Sequence, residues 1–125
     1  MKSILLVDDE KDILESLGAS LRRSGYRVFT APTGQEALDL AKKEHPQIIV
    51  LDLILPDVDG SEVAARLLRD PETRDIPVIF LTSIMRKEEQ KTEGTQIGSR
   101  CVVAKPCRPE EILALVKDHI GPSDS

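Results

Sequence analysis

The chain has 125 residues, 40% of them hydrophobic, 31% charged and 2% aromatic, enough for one domain that hides roughly two-thirds of its unfolded surface. No apolar run approaches the ~20 residues needed to cross a bilayer, and the short run Ile4-Leu5-Leu6-Val7 is no signal peptide, so a cytoplasmic protein is expected. The formal net charge of -5 and the scarcity of aromatics argue against direct nucleic-acid binding, and two cysteines form neither a disulfide framework nor a zinc site.

Apolar and amphipathic runs alternate along the chain. Ile4 to Val7 is continuously apolar, as a strand covered on both faces would be. Ile13, Leu14, Leu17 and Leu21 then mark one face of a helix from about Glu10 to Arg23, with Gly25 placed to end it. Tyr26 to Thr30 alternates more and reads as an edge strand. Thr33 to Glu36 matches a capping box that opens a second helix carrying Ala37, Leu38 and Ala41. Ile48 to Leu51 is the third strand. Gly60 precedes a third helix with Val63, Ala64, Leu67 and Leu68, halted near Asp70-Pro71. Val78 to Leu81 and Cys101 to Ala104 are the fourth and fifth strands. Pro109, Glu110 and Glu111 suit the first turn of a last helix that buries Ile112, Leu113, Val116 and Ile120. Residues 85–99 should hold the remaining helix, but Thr92, Gly94, Thr95 and Gly98 predict a short or irregular one. The pattern predicts an α/β fold, a doubly wound five-stranded parallel sheet with helices on both faces. The tail, residues 122–125, is expected to fray and is too short for an output module.

Polar residues recur just past the carboxyl ends of the strands: Asp8 and Asp9, then Asp52, Thr82 and Lys105. In an open doubly wound sheet those ends rim one crevice where ligands bind. Clustered carboxylates repel and call for a counter-charge. Mg2+ supplies it with oxygen ligands. A metal, an ammonium and a hydroxyl would together stabilise a phosphoryl group, with a carboxylate as its nucleophile. Taken singly, Asp9 reads as a cap, Thr82 as a turn residue and Lys105 as a solvated charge; the conjunction carries the reading. Asp57 and Asp59 read as loop acids, Asp59 as a cap for the third helix, while Glu10 either supports the metal or starts a helix. Cys101 reads as a buried small hydrophobe and Cys107 as an ordinary thiol. His45 and His119 read as solvated residues near helix ends.

The segments Leu6-Val7-Asp8-Asp9-Glu10, Asp52 to Gly60, Leu81-Thr82-Ser83 and Lys105-Pro106 resemble the receiver domain of bacterial two-component response regulators, with a chemotaxis-regulator-like organisation over essentially the whole chain. The resemblance implies a flavodoxin-like (βα)5 fold with strand order 2-1-3-4-5 and a receiver domain over residues 1–121. It implies that Asp52 accepts a phosphoryl group from a histidine kinase or histidine phosphotransfer protein. Asp9, Asp52 and the carbonyl of Ile54 would bind Mg2+, with Asp8 acting through a metal-bound water. Lys105 and Thr82 would contact the phosphoryl group, and a cis bond before Pro106 would help aim Lys105. Such a domain acts on an unidentified downstream protein, as a monomer or a phosphorylation-dependent dimer. It is no conventional enzyme and promotes only its own phosphorylation and dephosphorylation.

Two positions depart from the family pattern, and two more bear on the lifetime of the phosphorylated form. Val102 stands where receivers often carry the aromatic that turns inward on activation, and Cys107 where Phe is common. An order–disorder response of residues 85–99 is the expected replacement. The resemblance implies that Ile54 and Ile84 flank the path of the hydrolytic water, which neither can orient, and this predicts slow self-dephosphorylation. Two alternatives stay open: a degenerate receiver that binds without phosphate, and an aspartyl-phosphate phosphohydrolase of the haloacid dehalogenase type. The second is disfavoured because Ile54 stands where such enzymes need an acid.

Overall fold

Short runs of Ile, Leu and Val build one sheet in the computed structural model, which describes residues 2–82, 96–97, 100–105 and 107–123. Its strands are β1 (Ser3–Val7), β2 (Arg27–Ala31), β3 (Ile48–Asp52), β4 (Val78–Thr82), β5 (Gln96–Ile97) and β6 (Arg100–Ala104). The helices among the described residues are α1 (Lys11–Arg23), α2 (Gly34–Glu44), α3 (Gly60–Arg69) and α4 (Pro109–Ile120). The sheet order is β2-β1-β3-β4-β6-β5. Its five long strands are parallel in the predicted order, and β5 adds a two-residue antiparallel edge against β6.

The continuous apolar runs follow from burial on both faces. Leu5, Val7, Ile49, Leu51 and Phe80 point to one side, where they meet Ala37 and Ala41 of α2 and Val63, Ala64 and Leu67 of α3. Ile4, Leu6, Ile48, Val50, Ile79 and Leu81 point to the other, against Leu17 and Leu21 of α1 and Ile112 and Val116 of α4. Alternate residues of one strand thus serve two cores. Each fully buried Ile or Leu contributes about 1.5–3 kcal/mol. The edge position predicted for the second strand holds, and β2 is the least buried of the first four strands.

Several local expectations are refined. Gly25 has φ 97 just past α1, in the left-handed region open to glycine. Thr33 caps α2 by accepting the Glu36 N–H at 3.2 Å. Pro109 opens α4, and the Glu111 side chain accepts the Arg108 N–H at 3.1 Å. β3 and β4 extend through Asp52 and Thr82, so those residues end their strands rather than follow them. Of the segment expected to hold a short or irregular helix, Gln96 and Ile97 are strand; residues 83–95, 98 and 99 lie outside the described residues, as do Ile84, Pro106 and residues 124–125. No helix among the described residues is long and apolar enough to cross a membrane.

Candidate functional site

At the carboxyl end of the sheet, β1, β3 and β6 deliver Asp8, Asp52 and Lys105 to one point. Asp8 is fully buried, and the Asp52 and Lys105 side chains are only 4% and 8% exposed. Lys105 Nζ lies 2.9 Å from Asp8 Oδ2, 2.9 Å from Glu10 Oε1 and 3.2 Å from Asp52 Oδ2. Its backbone N–H donates to the Thr82 carbonyl at 2.8 Å, which continues the β4–β6 ladder past Ala104 and seats Thr82 beside the lysine. Thr82 is itself fully buried.

The other carboxylate oxygens face backbone. Asp8 Oδ1 accepts the Glu10 N–H at 2.9 Å, and Asp52 Oδ1 accepts the Ile54 N–H at 3.2 Å. Gly60 fixes the loop after Asp52. Its N–H donates to the Leu53 carbonyl at 2.8 Å, and a Cβ there would lie 2.2 Å from the Asp52 carbonyl oxygen. Only glycine lets α3 start that close to the strand end.

Charge dominates the site. Asp8, Glu10 and Asp52 surround the ammonium of Lys105, and Asp9 adds a fourth acid beside Asp8 and Glu10. Burial pushes the Asp8 carboxyl above the ordinary carboxylate range; the Glu10 N–H and Lys105 pull it down, and the Asp52 charge adds to the rise. Burial alone would lower the Lys105 pKa, but its contacts with Asp8 and Glu10 and the charges of Asp8 and Asp52 outweigh that, and the net shift is upward. Lys105 therefore stays an ammonium across the physiological range.

One oxygen is left short. Among the described residues Asp8 Oδ2 is buried with no hydrogen-bond partner beyond its 2.9 Å ion pair with Lys105. Ligand oxygens of Asp8, Asp9 and Glu10 lie within 4.8 Å of one another. An all-oxygen donor set, surplus negative charge and a buried oxygen short of partners fit a hard divalent cation such as Mg2+.

The predicted residues are brought together unevenly. Asp8, Asp52, Thr82 and Lys105 converge. Asp9 is exposed and groups with Asp8 and Glu10 rather than with Lys105. Ile54 adjoins Asp52, with its side chain 48% exposed. Val102 pairs in register with Phe80 and packs half-buried on the α2–α3 side of the sheet. Glu10 takes a fuller part than its sequence position announced. It stands at the N-cap of α1, yet its side chain makes no capping bond and reaches Lys105 instead.

The two loop acids act differently. Asp59 occupies the N-cap of α3 without a side-chain capping bond. Asp57 caps α2, its carboxylate accepting the N–H groups of Gly34 at 2.8 Å and Gln35 at 2.9 Å. Cys101 is half-buried rather than buried. Burial, and then the Glu111 charge, push the Cys107 thiol up, which makes its thiolate scarce.

A family model described as the response regulator receiver domain matches residues 4–117. The chain belongs to that family. It is 39% identical to the phosphate regulon transcriptional regulatory protein PhoB of Pseudomonas aeruginosa over 127 residues, covering 99% of this chain and 55% of PhoB. It is 42% identical over 116 residues to the alkaline phosphatase synthesis transcriptional regulatory protein PhoP of Bacillus subtilis, covering 93% of this chain and 47% of PhoP. The receiver thus spans about half the length of these curated relatives. Among solved structures, the chemotaxis protein CheY4 of Vibrio cholerae superposes with a TM-score of 0.83 at 29% identity, over 96% of this chain and 99% of that one. The receiver domain of a sensor histidine kinase from Pseudomonas aeruginosa, solved with magnesium in its active-site cleft, gives 0.84 at 28% identity, over 96% and 98%.

Proposed function

We propose that this receiver is a phosphorylation-dependent switch in a two-component phosphorelay, with Asp52 as phosphoacceptor and a histidine kinase or histidine phosphotransfer protein as donor. The observation that carries the reading is the Lys105 ammonium 3.2 Å from Asp52 Oδ2, both nearly buried at the carboxyl rim of the sheet beside the buried Asp8 carboxylate. A carboxylate held against a permanent cation at a strand end is placed to accept a phosphoryl group and to have the added charge balanced.

In the transfer, an Asp52 oxygen attacks phosphorus, the new P–O bond forms, and the P–N bond to the donor imidazole breaks with its electron pair leaving on nitrogen. Lys105 is placed to follow the charge onto a phosphoryl oxygen, and Thr82 to donate its hydroxyl proton to another. Asp8, Asp9, Asp52 and the Ile54 carbonyl would hold Mg2+. The bound ion would neutralise phosphoryl charge. Loss of the phosphoryl group needs a water to approach past Ile54, whose side chain offers it no hydrogen bond, so the phosphorylated state is long-lived. A cytoplasmic location and an unidentified protein target go with this reading.

Incubation with Mg2+ and acetyl phosphate, followed by intact mass measurement, tests it. The expected result is a phosphoryl adduct that is absent from Asp52→Asn. A protein that takes no adduct is a phosphate-independent scaffold, and one that rapidly turns over small phosphate esters is a phosphohydrolase; either result overturns the reading.

A further inference from the structure

Lys105 is over-subscribed. Its ammonium sits between Asp8, Glu10 and Asp52, hydrogen-bonded to Glu10 and Asp52 and ion-paired with Asp8. An ammonium has three protons to give. The Asp52 contact passes to the phosphoryl group once Asp52 is modified, which leaves Asp8 and Glu10 as the carboxylates that compete with a phosphoryl oxygen for the ammonium. Asp8 and Asp52 have side chains 0% and 4% exposed and cannot retreat into water. Glu10 is different: its side chain is 56% exposed, and it makes no capping bond that would hold it.

We propose that Glu10 is a releasable tether. It parks Lys105 while Asp52 is unmodified and competes with the phosphoryl group for the ammonium, which makes it a positioning residue that sets how readily the modified state forms. The inference rests on the reading of Asp52 as phosphoacceptor. A half-exposed ion pair has modest strength, so the competition is worth about two- to fivefold in affinity for a phosphoryl mimic. Screening by salt weakens the tether more than the buried contacts to Asp8 and Asp52.

The same carboxylate lies near Asp8 and Asp9, so the rival role is support for a cation. The two roles give opposite results in Glu10→Gln. A tether predicts tighter beryllofluoride binding in the presence of Mg2+, by about two- to fivefold at low salt, with the gain shrinking at high salt. It also predicts that Mg2+ affinity, read by calorimetry without beryllofluoride, stays within a factor of about two, because Glu10 is not among the residues that would hold the ion directly. It further predicts a shift of the Lys105 Nζ resonance in the unmodified, metal-free protein, which a purely structural role would leave in place. Weaker binding of both Mg2+ and beryllofluoride makes Glu10 a cation contributor and overturns the tether. Unchanged beryllofluoride affinity in a variant whose wild type takes the acetyl phosphate adduct overturns it as well. Should the wild type take no adduct, the function proposed above fails, and an unmoved Lys105 Nζ resonance then refutes the tether separately.

Discussion

Asp57, in the loop that follows Asp52, caps the helix that begins at Gly34. Asp57 Oδ1 accepts the Gly34 N–H at 2.8 Å while Oδ2 accepts the Gln35 N–H at 2.9 Å. Together with Thr33 it satisfies three of the four donors that a helix start leaves open. The approach is close: a Cβ on Gly34 would fall 2.4 Å from Val58 Cγ2. The loop beside the candidate phosphoacceptor and the start of α2 are therefore one packed unit.

The cap makes stability depend on pH in a definite direction. The Gln35 and Gly34 N–H groups hold the Asp57 carboxyl below its ordinary value of 3.8. A carboxylate depressed on folding stabilises the fold above the unfolded value, and that contribution disappears as pH falls through the folded one. Asp57→Asn should therefore melt at a lower temperature than wild type at neutral pH. The gap should narrow as pH drops below 3.8, read by thermal melts across pH.

Gly60→Ala should damage both fold and site. Its Cβ would fall 2.2 Å from the Asp52 carbonyl oxygen, a backbone atom that cannot step aside. A cost of about 1–3 kcal/mol by urea denaturation is expected, with slower phosphorylation by acetyl phosphate. Gly18→Ala is the counter-case inside α1. There the nearest atoms to an added Cβ begin at 3.5 Å, an ordinary contact. That variant should gain roughly 0.5–1 kcal/mol from helix propensity alone.

Added Mg2+ should raise the melting temperature, because a ligand that binds only the folded state stabilises it, by about 2.7 kcal/mol at a hundred times its Kd. Chelation should reverse the gain. Asp9 is exposed and belongs to the oxygen cluster, so Asp9→Asn should abolish the Mg2+ increment while leaving the metal-free melting temperature nearly unchanged. An intact increment in that variant would remove Asp9 from the cation site.

Replacing Ile54 with Asn and Ile84 with Glu should shorten the life of the phosphorylated form by about tenfold or more, since positioned polar groups assist proton transfer by larger factors. Decay of the adduct followed by intact mass checks this. Ile54 is 48% exposed, so its replacement should cost little stability.

Much of the architecture was legible because β1, β3 and β4 are buried on both faces and so appear as unbroken apolar runs ending in Asp8, Asp52 and Thr82. Lys105 was legible by the same rule, as the first polar residue after an apolar stretch. Glu10 was ambiguous because an acid at a helix start looks the same whether it caps the helix or reaches across the sheet to a lysine. Asp57 was read only as a loop acid because its partners lie on α2, and no local periodicity links a loop to a helix earlier in the chain. β5 carries two residues, too few for any alternation to register.

The bond from the Lys105 amide to the Thr82 carbonyl restricts how the rim can respond to an incoming group. Two neighbouring side chains share one rung of main chain, so neither α-carbon can drift alone. What remains free to change is torsion about side-chain bonds, and those torsions occupy separate staggered wells. A rim built this way answers in steps rather than by degrees.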